Sequence, residues 1–202
     1  MQKKEVKAVL FDMDGTLVDS FNAWFFSYND ALKQFSFHAI TRAQFKKSFG
    51  APIERDVKDR FKGKTIKEVQ GAYNKNFPKR LKLVKIFPDV RKTINTLREK
   101  KYKIALITGP TRPITDSIVK KLGLSASFDV ILTMNDVKRR KPAPDMVFKA
   151  CKLLKVKTKN AILVGDSVND IIAARRANVT SVGYKIMGDY KIKRIISILK
   201  FI

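Results

Sequence analysis

Two aspartates near the start of the chain, Asp12 and Asp14, have the residue type and the spacing that could do chemistry. The apolar run before them, residues 6–10, predicts a short buried strand. Carboxylates two residues apart in an extended segment point the same way, and Gly15 lets the chain turn sharply after them. Such acids repel one another at a buried strand end unless a cation lies between them or one is protonated. The pattern therefore favours a site with a metal, a nucleophile and an acid, with an ordinary Asp-Gly turn as the alternative.

Polar side chains also follow three later apolar runs, each of which predicts a strand. Thr108 ends the second predicted strand, Lys141 follows the third, and Asp166 ends the fourth, with Asp170 one helical turn later. Taken singly, Lys141 would be interpreted as a surface lysine. Asp166 would be interpreted as an N-cap and Asp170 as an acid in the first turn of a helix. In a parallel sheet, however, these ends lie along one edge. We therefore expect four carboxylates, one lysine and one hydroxyl to meet in a single crevice.

Strands and helices alternate over most of the chain, and this alternation predicts the elements that position these groups. The predicted strands cover residues 1–11, 103–107, 128–132, 161–164 and 180–184, with a short extended piece and an amphipathic helix between 190 and 202. Helices are predicted over residues 90–97, 113–122 and 144–154, and in a segment that ends at Ala177. Nearly continuous apolar strands that alternate with helices are typical of a parallel sheet covered on both faces. The expected fold class is α/β with a doubly wound parallel sheet.

Between about Asp19 and Arg80 the alternation is interrupted by an all-helical pattern. Large apolar side chains recur there at steps of three and four residues, which is typical of the core face of a helix. These residues are Phe21, Trp24, Phe25, Tyr28, Leu32 and Phe35. Four short helices are expected: one capped by Asp19 or Ser20, one begun by Thr41, one from Ile53 to Phe61 and one from Thr65 to Phe77.

The chain is strongly basic, with a formal net charge of +25 from 43 basic and 18 acidic side chains among 202 residues. Such a balance suggests an anionic partner, but the excess is spread along the chain, and 138–141 is the only basic run of four. A basic solvated surface is therefore favoured over a dedicated nucleic-acid groove. A single cysteine, Cys151, favours a reducing compartment, and we expect the cytoplasm. No signal peptide or membrane span is expected from the apolar runs.

With these motifs the chain resembles the haloacid dehalogenase superfamily, in the helical-cap subgroup that includes phosphoglycolate phosphatase and β-phosphoglucomutase. The motifs are Asp12-Met13-Asp14-Gly15-Thr16-Leu17-Val18-Asp19-Ser20, the strand end at Thr108, Arg140-Lys141-Pro142-Ala143-Pro144-Asp145 and Gly165-Asp166-Ser167-Val168-Asn169-Asp170. The resemblance implies a Rossmann-like core of residues 1–16 and 86–202 with an inserted helical cap, residues 17–85. Two positions depart from the family pattern: Gly109, where many relatives carry Asn, and Arg140, where Gly is frequent.

The resemblance also implies a mechanism. Asp12 is expected to attack phosphorus and form an aspartyl-phosphate, Asp14 to act as general acid and then base, and Lys141 to neutralise charge. The implied phosphate-binding residues are Thr108, Gly109 and Lys141. The implied ligands of Mg²⁺ are Asp12, Asp14 through its backbone carbonyl, Asp166, and Asp170 directly or through a water. An acid at the second position favours phosphoryl transfer over dehalogenation, because the family's dehalogenases lack it.

The expected partner is a small-molecule phosphate ester, because a cap that closes over the core excludes bulky polymers. A phosphorylated organic acid or sugar is expected, with phosphoglycolate as a guess. Arg55 lies in a segment, 50–55, that resembles the family's cap specificity loop. It could reach an anionic substrate or be an ordinary exposed arginine. Two alternatives remain open: a phosphomutase of the same fold, and a basic protein that binds nucleic acid or processes its ends.

Overall fold

Eight strands occur in residues 5–202, the part of the chain that the computed structural model describes. They are β1 (Ala8–Phe11), β2 (Val18–Asp19), β3 (Lys85–Ile86), β4 (Lys103–Ile107), β5 (Val130–Leu132), β6 (Ala161–Gly165), β7 (Thr180–Tyr184) and β8 (Tyr190–Ile192). Six of them form one parallel sheet in the order β5-β4-β1-β6-β7-β8. Since the chain adds strands first on one side of β1 and then on the other, the order reverses beside β1. Ligands bind at such a switch point in open α/β sheets.

Eight α-helices accompany the strands in the described part of the chain. They are α1 (Phe21–Gln34), α2 (Arg42–Lys46), α3 (Ile53–Asp59), α4 (Ile66–Asn76), α5 (Val90–Glu99), α6 (Arg112–Lys121), α7 (Asp145–Leu153) and α8 (Val168–Arg176). Short 3₁₀ helices occupy Phe77–Leu83, Ser125–Ser127, Met134–Asp136, Thr158–Asn160 and Ile195–Lys200. This arrangement confirms the predicted α/β fold with its doubly wound parallel sheet and helical insert.

The register of the central strands aligns their carboxyl ends. Phe11, the last residue of β1, lies opposite Leu106 of β4 and Val164 of β6. All four residues of β1 are buried, as expected for a strand with neighbours on both sides and helices on both faces. Residues that directly follow β1, β4 and β6 are thereby brought to the same edge of the sheet.

Several predicted boundaries differ from the structure. The strand predicted over residues 1–11 begins at Ala8, and residues 1–4 lie outside the described part of the chain. The strand predicted from Phe128 begins at Val130, because the Asp129 carboxylate accepts the Ile104 backbone N–H at 2.7 Å and takes the place of a strand hydrogen bond. The C-terminal segment contains β8 as predicted, but the helix after it is a 3₁₀ helix rather than an amphipathic α-helix.

The helical insert lies between β2 and β3, two antiparallel strands of two residues each. The sequence pattern missed both strands, because so short a pair carries no measurable alternation. Thr41 and Thr65 each close a capping box at the start of their helices, as their positions predicted. Two residues were predicted as alternatives for the cap of α1. Ser20 occupies the N-cap position but its side chain makes no cap hydrogen bond, whereas Asp19 Oδ1 accepts the Phe21 backbone N–H at 3.3 Å.

Aromatic side chains form the core of the insert, which we call the cap (residues 17–85, as proposed from the sequence). The Phe61 ring is fully buried, with its centroid 5.3 Å from that of Tyr28 and 6.1 Å from that of Tyr73. Phe35 and Phe37 meet the same ring edge-on. Packing of this kind holds together helices that are individually too short to be stable.

Among the helices of the described chain, none has both the length and the apolar composition that crossing a bilayer requires.

We expect Phe61→Ala to lower the free energy of unfolding by about 3–5 kcal/mol, because the substitution empties a fully enclosed position in the cap. Urea unfolding followed by far-ultraviolet circular dichroism measures this. The matched control is Phe148→Ala, since 47% of Phe148 is exposed; its cost should stay below about 1 kcal/mol. Equal losses in both variants would show that the aromatic cluster does not carry the stability of the cap.

Candidate active site

Lys141 lies at the centre of the carboxyl-end edge of the sheet. Its ammonium donates to Asp12 Oδ1 at 2.6 Å and to Asp170 Oδ1 at 2.6 Å, and to the carbonyl oxygen of Ile107 at 3.1 Å. The Lys141 and Asp12 side chains are about nine-tenths buried and that of Asp170 almost completely. A lysine from the segment after β5 is thus joined to the ends of β1, β4 and α8.

Asp166 and Asp170 are held in place by hydroxyl groups. The Thr16 hydroxyl donates to Asp166 Oδ1 at 3.1 Å, and the Ser167 hydroxyl donates to Asp170 Oδ2 at 2.5 Å. Ser167 is also the N-cap of α8, where it accepts the Asp170 backbone N–H in a capping box. The start of α8 therefore fixes one of the two carboxylates that face Lys141.

Three carboxylates, those of Asp12, Asp166 and Asp170, each offer an oxygen within 4.8 Å of the others. When all three carboxylates are ionised, the single positive charge of Lys141 leaves two negative charges uncompensated. An all-oxygen donor set with an excess of negative charge suits a hard divalent cation. The residues present therefore fit such an ion, with Asp170 already engaged by Lys141 and Ser167.

Burial dominates the electrostatics of the group. It raises the pKa of Asp12 well above the ordinary value, against the opposing effect of Lys141 and with the help of Asp170 and Asp166. Burial and the neighbouring Asp170 raise the pKa of Asp166 to about 6. Burial would lower the pKa of Lys141, but Asp12 and Asp170 outweigh it and raise that pKa above its usual range. Lys141 consequently stays protonated, and a bound cation would bring the carboxyl pKa values down.

Asp14 lies apart from the three carboxylates and faces the cap. Its Oδ1 accepts hydrogen bonds from the Ser20 hydroxyl and, at 3.2 Å, from the indole N–H of Trp24. Burial raises the pKa of Asp14, and the two hydrogen bonds offset the rise only in part. A carboxyl with a raised pKa beside a cavity is suited to proton transfer.

Gly15 permits the close approach of the Asp12–Asp14 turn to β6. Its φ is +81°, and a Cβ at this position would lie 2.1 Å from Asp166 Oδ2. Only glycine satisfies both the backbone conformation and the contact. The Asp-Gly turn that the sequence left as an alternative is thus present, and it also carries the acids.

A cavity of about 370 Å³ opens onto these groups, between the core and the cap. Asp12, Asp14, Gly109, Lys141 and Asp166 all line it. The other two predicted core positions, Thr108 and Asp170, do not line the cavity. Within the described residues, the buried Thr108 hydroxyl at the end of β4 has no hydrogen-bond partner. Thr108 therefore has a free hydroxyl next to the cavity rather than in its wall.

On the cap side, five aromatic residues line the cavity. Trp24, Tyr28, Phe45, Phe49 and Tyr73 contribute to its wall, together with the carboxylate of Asp56. Arg55 does not line this cavity; its side chain is 56% exposed, and its guanidinium pairs with Asp59 at 3.4 Å. The predicted specificity role of Arg55 thus receives no support from its position in this structure.

Polar contacts join the cap to the core around the cavity. Arg140 pairs with Glu54 of α3 at 3.2 Å. The Thr111 hydroxyl donates to Asn74 of α4, and Gln70 of the same helix donates to the sulfur of Met134 at 3.8 Å. The cap is therefore in contact with the core on more than one side of the site.

Three residues at this site were not predicted from the sequence as functional: Ser20, Trp24 and Asp56. Ser20 was expected to cap α1, and Trp24 belonged to a stripe that was interpreted as core. The ten-residue spacing between Asp14 and Trp24 carries no periodic signal that would pair them. Asp56 was one of several charged residues on a short helix, and only the folded cap turns its carboxylate toward the cavity.

The structure thus belongs to the class of doubly wound α/β proteins with an inserted helical cap, and an aspartate–lysine cluster lies at the switch point of its six-stranded parallel sheet. The model of the haloacid dehalogenase-like hydrolase family matches residues 9–184, and the chain belongs to this family. Membership confirms the resemblance seen in the motifs and the expectation that the chain is an enzyme.

Two relatives and one solved structure illustrate the proteins to which the chain is similar. The chain is 32% identical over 188 residues to pyrophosphatase PpaX of Halalkalibacterium halodurans, covering 92% of this chain and 87% of that protein. It is 28% identical over 176 residues to the phosphoglycolate phosphatase of Aquifex aeolicus, covering 85% and 81% of the two chains. The crystal structure of CbbY from Rhodobacter sphaeroides in complex with phosphate has a TM-score of 0.85 at 19% identity, over 96% of each chain. That likeness establishes the shared fold.

We compare the free energy of unfolding of the native protein with that of Asp56→Asn. We expect the native value to fall relative to the variant value as the pH rises from about 4 to about 7. Burial raises the pKa of Asp56 to about 6. Between the two pKa values the folded protein keeps a proton that the unfolded chain has released, so raising the pH favours unfolding. The variant cannot titrate at this position. Urea unfolding in EDTA at several pH values measures the difference.

The control is Asp59→Asn on the same helix, which removes an equal charge from a side chain that is 47% exposed. Its stability curve should run parallel to that of the native protein. Parallel curves for Asp56→Asn as well would contradict the assignment of a raised pKa to Asp56.

Proposed function

We propose that this chain is a phosphatase that depends on a divalent cation, expected to be Mg²⁺, and hydrolyses a small phosphate ester through a phosphorylated Asp12. The observation that carries the proposal is the contact of the buried Lys141 ammonium with Asp12, at 2.6 Å, beside a cavity that a second acid also lines. The names of the relatives, a pyrophosphatase and a phosphoglycolate phosphatase, support the same class of reaction.

The first step would use both acids. One carboxylate oxygen of Asp12 accepts the Lys141 N–H, which leaves the other free to attack phosphorus. A bond forms between that oxygen and phosphorus, and the bond from phosphorus to the alcohol oxygen breaks. Protonated Asp14 gives its proton to the departing oxygen. Its raised pKa favours the protonated form that this step needs.

The second step would regenerate the enzyme. The Asp14 carboxylate takes a proton from a water molecule, whose oxygen attacks phosphorus as the bond to Asp12 breaks. Inorganic phosphate leaves, and Asp14 is again protonated. Throughout, Lys141 and the Gly109 backbone would hold phosphate oxygens, and the unpartnered Thr108 hydroxyl would donate to one of them.

Asp12 and Asp166 would hold Mg²⁺, together with the backbone carbonyl of Asp14, and Asp170 would act directly or through a water. When bound, the ion supplies positive charge against the phosphate oxygens. We propose a second role for Asp170, which is to position Lys141. Its carboxylate accepts a hydrogen bond from the Lys141 ammonium at 2.6 Å. A cavity of about 370 Å³ between core and cap fits a small ester better than a nucleic acid, and the cytoplasm remains the proposed compartment.

We expect Asp12→Asn to lower Mg²⁺-dependent hydrolysis of p-nitrophenyl phosphate by roughly a thousandfold or more, because an amide cannot replace the nucleophile. Nitrophenolate release, with and without EDTA, measures this. The control is Asp116→Asn, since Asp116 is an exposed residue of α6 that does not line the cavity; it should keep native activity. Unchanged turnover in Asp12→Asn would sink the proposed nucleophile.

A further prediction uses two buried threonines whose hydroxyls have no partner within the described residues, Thr108 and Thr115. Either Thr→Val change should leave the free energy of unfolding within about 1 kcal/mol of the native value, because no hydrogen bond is lost. Only Thr108→Val should weaken competitive inhibition by inorganic phosphate, by roughly tenfold or more. An equal inhibition constant in native protein and Thr108→Val would remove Thr108 from the phosphate site.

A further inference from the structure

The cap side of the cavity contains one charged side chain among the described residues that line it, and this charge is negative. Asp56 is that residue; neither a lysine nor an arginine of the cap lines the cavity. The nearest basic residue on its helix, Arg55, pairs with Asp59 instead. An acidic leaving group would therefore meet a carboxylate rather than a cation on the cap.

The Asp56 carboxylate retains capacity to bind a ligand. The Tyr28 hydroxyl donates to Oδ1 at 3.3 Å and the Tyr73 hydroxyl to Oδ2 at 3.0 Å. An ionised carboxylate has about four acceptor positions, so about two remain. With the pKa raised by burial to about 6, Asp56 is largely ionised at neutral pH. Within residues 5–202, Asp56 forms no salt bridge, although the nearby Arg55 favours its ionised form.

Aromatic rings surround the same space. Trp24 meets Tyr73 edge-on with centroids 5.7 Å apart, and the rings of Tyr28 and Phe45 lie 5.3 Å apart. Rings that line a cavity beside a carboxylate attract an organic cation through their electron-rich faces. The rings and the carboxylate thus favour the same kind of ligand group.

Trp24 connects this wall to the reacting centre. Its indole N–H donates to Asp14 at 3.2 Å, while its ring packs against Tyr73, whose hydroxyl reaches Asp56. The wall from the proposed general acid to Asp56 is therefore continuous. A leaving alcohol protonated by Asp14 would extend along it.

We propose that the substrate is a phosphate ester of an amino alcohol, whose ammonium group is bound by Asp56 between the cap aromatics. This inference rests on the proposed phosphatase activity and names its substrate class. It differs from the anionic substrates named for the two relatives, and it replaces Arg55 by Asp56 as the residue that determines specificity. The core wall keeps one further cation, Arg140, but its guanidinium is already paired with Glu54 at 3.2 Å.

The test uses phosphate esters matched in size and different in charge: 2-aminoethyl phosphate, 2-hydroxyethyl phosphate and phosphoglycolate. A longer set carries the same three end groups on a phenyl phosphate, so that a ligand too short to reach Asp56 does not decide the result. We expect kcat/KM to fall from amine to hydroxyl to carboxylate in at least one set. The preference for amine over hydroxyl should drop by about tenfold or more in Asp56→Asn, mainly through KM.

Asp59→Asn is the matched control, because it removes the same charge from the same helix outside the cavity. It should keep the native order of substrates. A preference for the carboxylate in both sets, or an order unchanged in Asp56→Asn, would overturn the inference. An equal loss of kcat/KM on all esters in Asp56→Asn would also overturn the inference, because it would mean that Asp56 only links α1, α3 and α4 structurally.

A failure of the amino-alcohol inference can be distinguished from a failure of the proposed phosphatase activity. Mg²⁺-dependent turnover of p-nitrophenyl phosphate, which carries no cation, tests the phosphatase activity alone. If this turnover persists while the charge series shows no role for Asp56, the substrate class is wrong and the phosphatase stands. If no ester is hydrolysed by the native protein, the proposed function itself fails.

Discussion

The salt-bridged ammonium of Lys141 is the contact on which the rest of the site depends. Burying Asp12 and Asp170 close together at a sheet edge is costly, and Lys141 offsets part of that cost by contacting both at 2.6 Å. Asp166 adds a third carboxylate within 4.8 Å, which one lysine cannot balance. An all-oxygen cluster with excess negative charge is compatible with a divalent cation, and this is the basis of the metal-dependent phosphatase that we propose.

Several local features serve to hold this cluster in place. Gly15 allows the turn after β1 to pass against Asp166, and Ser167 fixes Asp170 at the start of α8. The cap is connected to the cluster through Trp24, whose indole donates to Asp14 while its ring belongs to the aromatic core of the cap. The acid proposed to transfer protons is thus held by a helix of the cap, which also forms one wall of the cavity. Movement of the cap would change the surroundings of that acid.

Most of the fold was predictable because the buried strands are nearly continuous apolar runs in the sequence. β4 and β7 were predicted with their observed bounds, and Thr41 and Thr65 were predicted as the residues that begin two of the helices. The pair β2–β3 was not, because two residues show no alternation. The sequence left Asp19 and Ser20 open as caps of α1; a serine before a helix usually caps it, but here the Ser20 hydroxyl donates to Asp14, and Asp19 accepts the Phe21 backbone N–H instead.

The sequence by itself determined the parallel sheet, the helical insert and the set of polar residues at the strand ends, because these follow from periodicity and from residues adjacent in the chain. It also carried the motifs that marked the family. Only the tertiary structure decided the hydrogen-bond partners. Lys141 lies 129 residues from Asp12 in sequence, and the turn of α3 that brings Asp56, rather than Arg55, to the cavity depends on packing against α1 and α4. Contacts between distant segments depend on how helices pack side by side, and no local pattern encodes that.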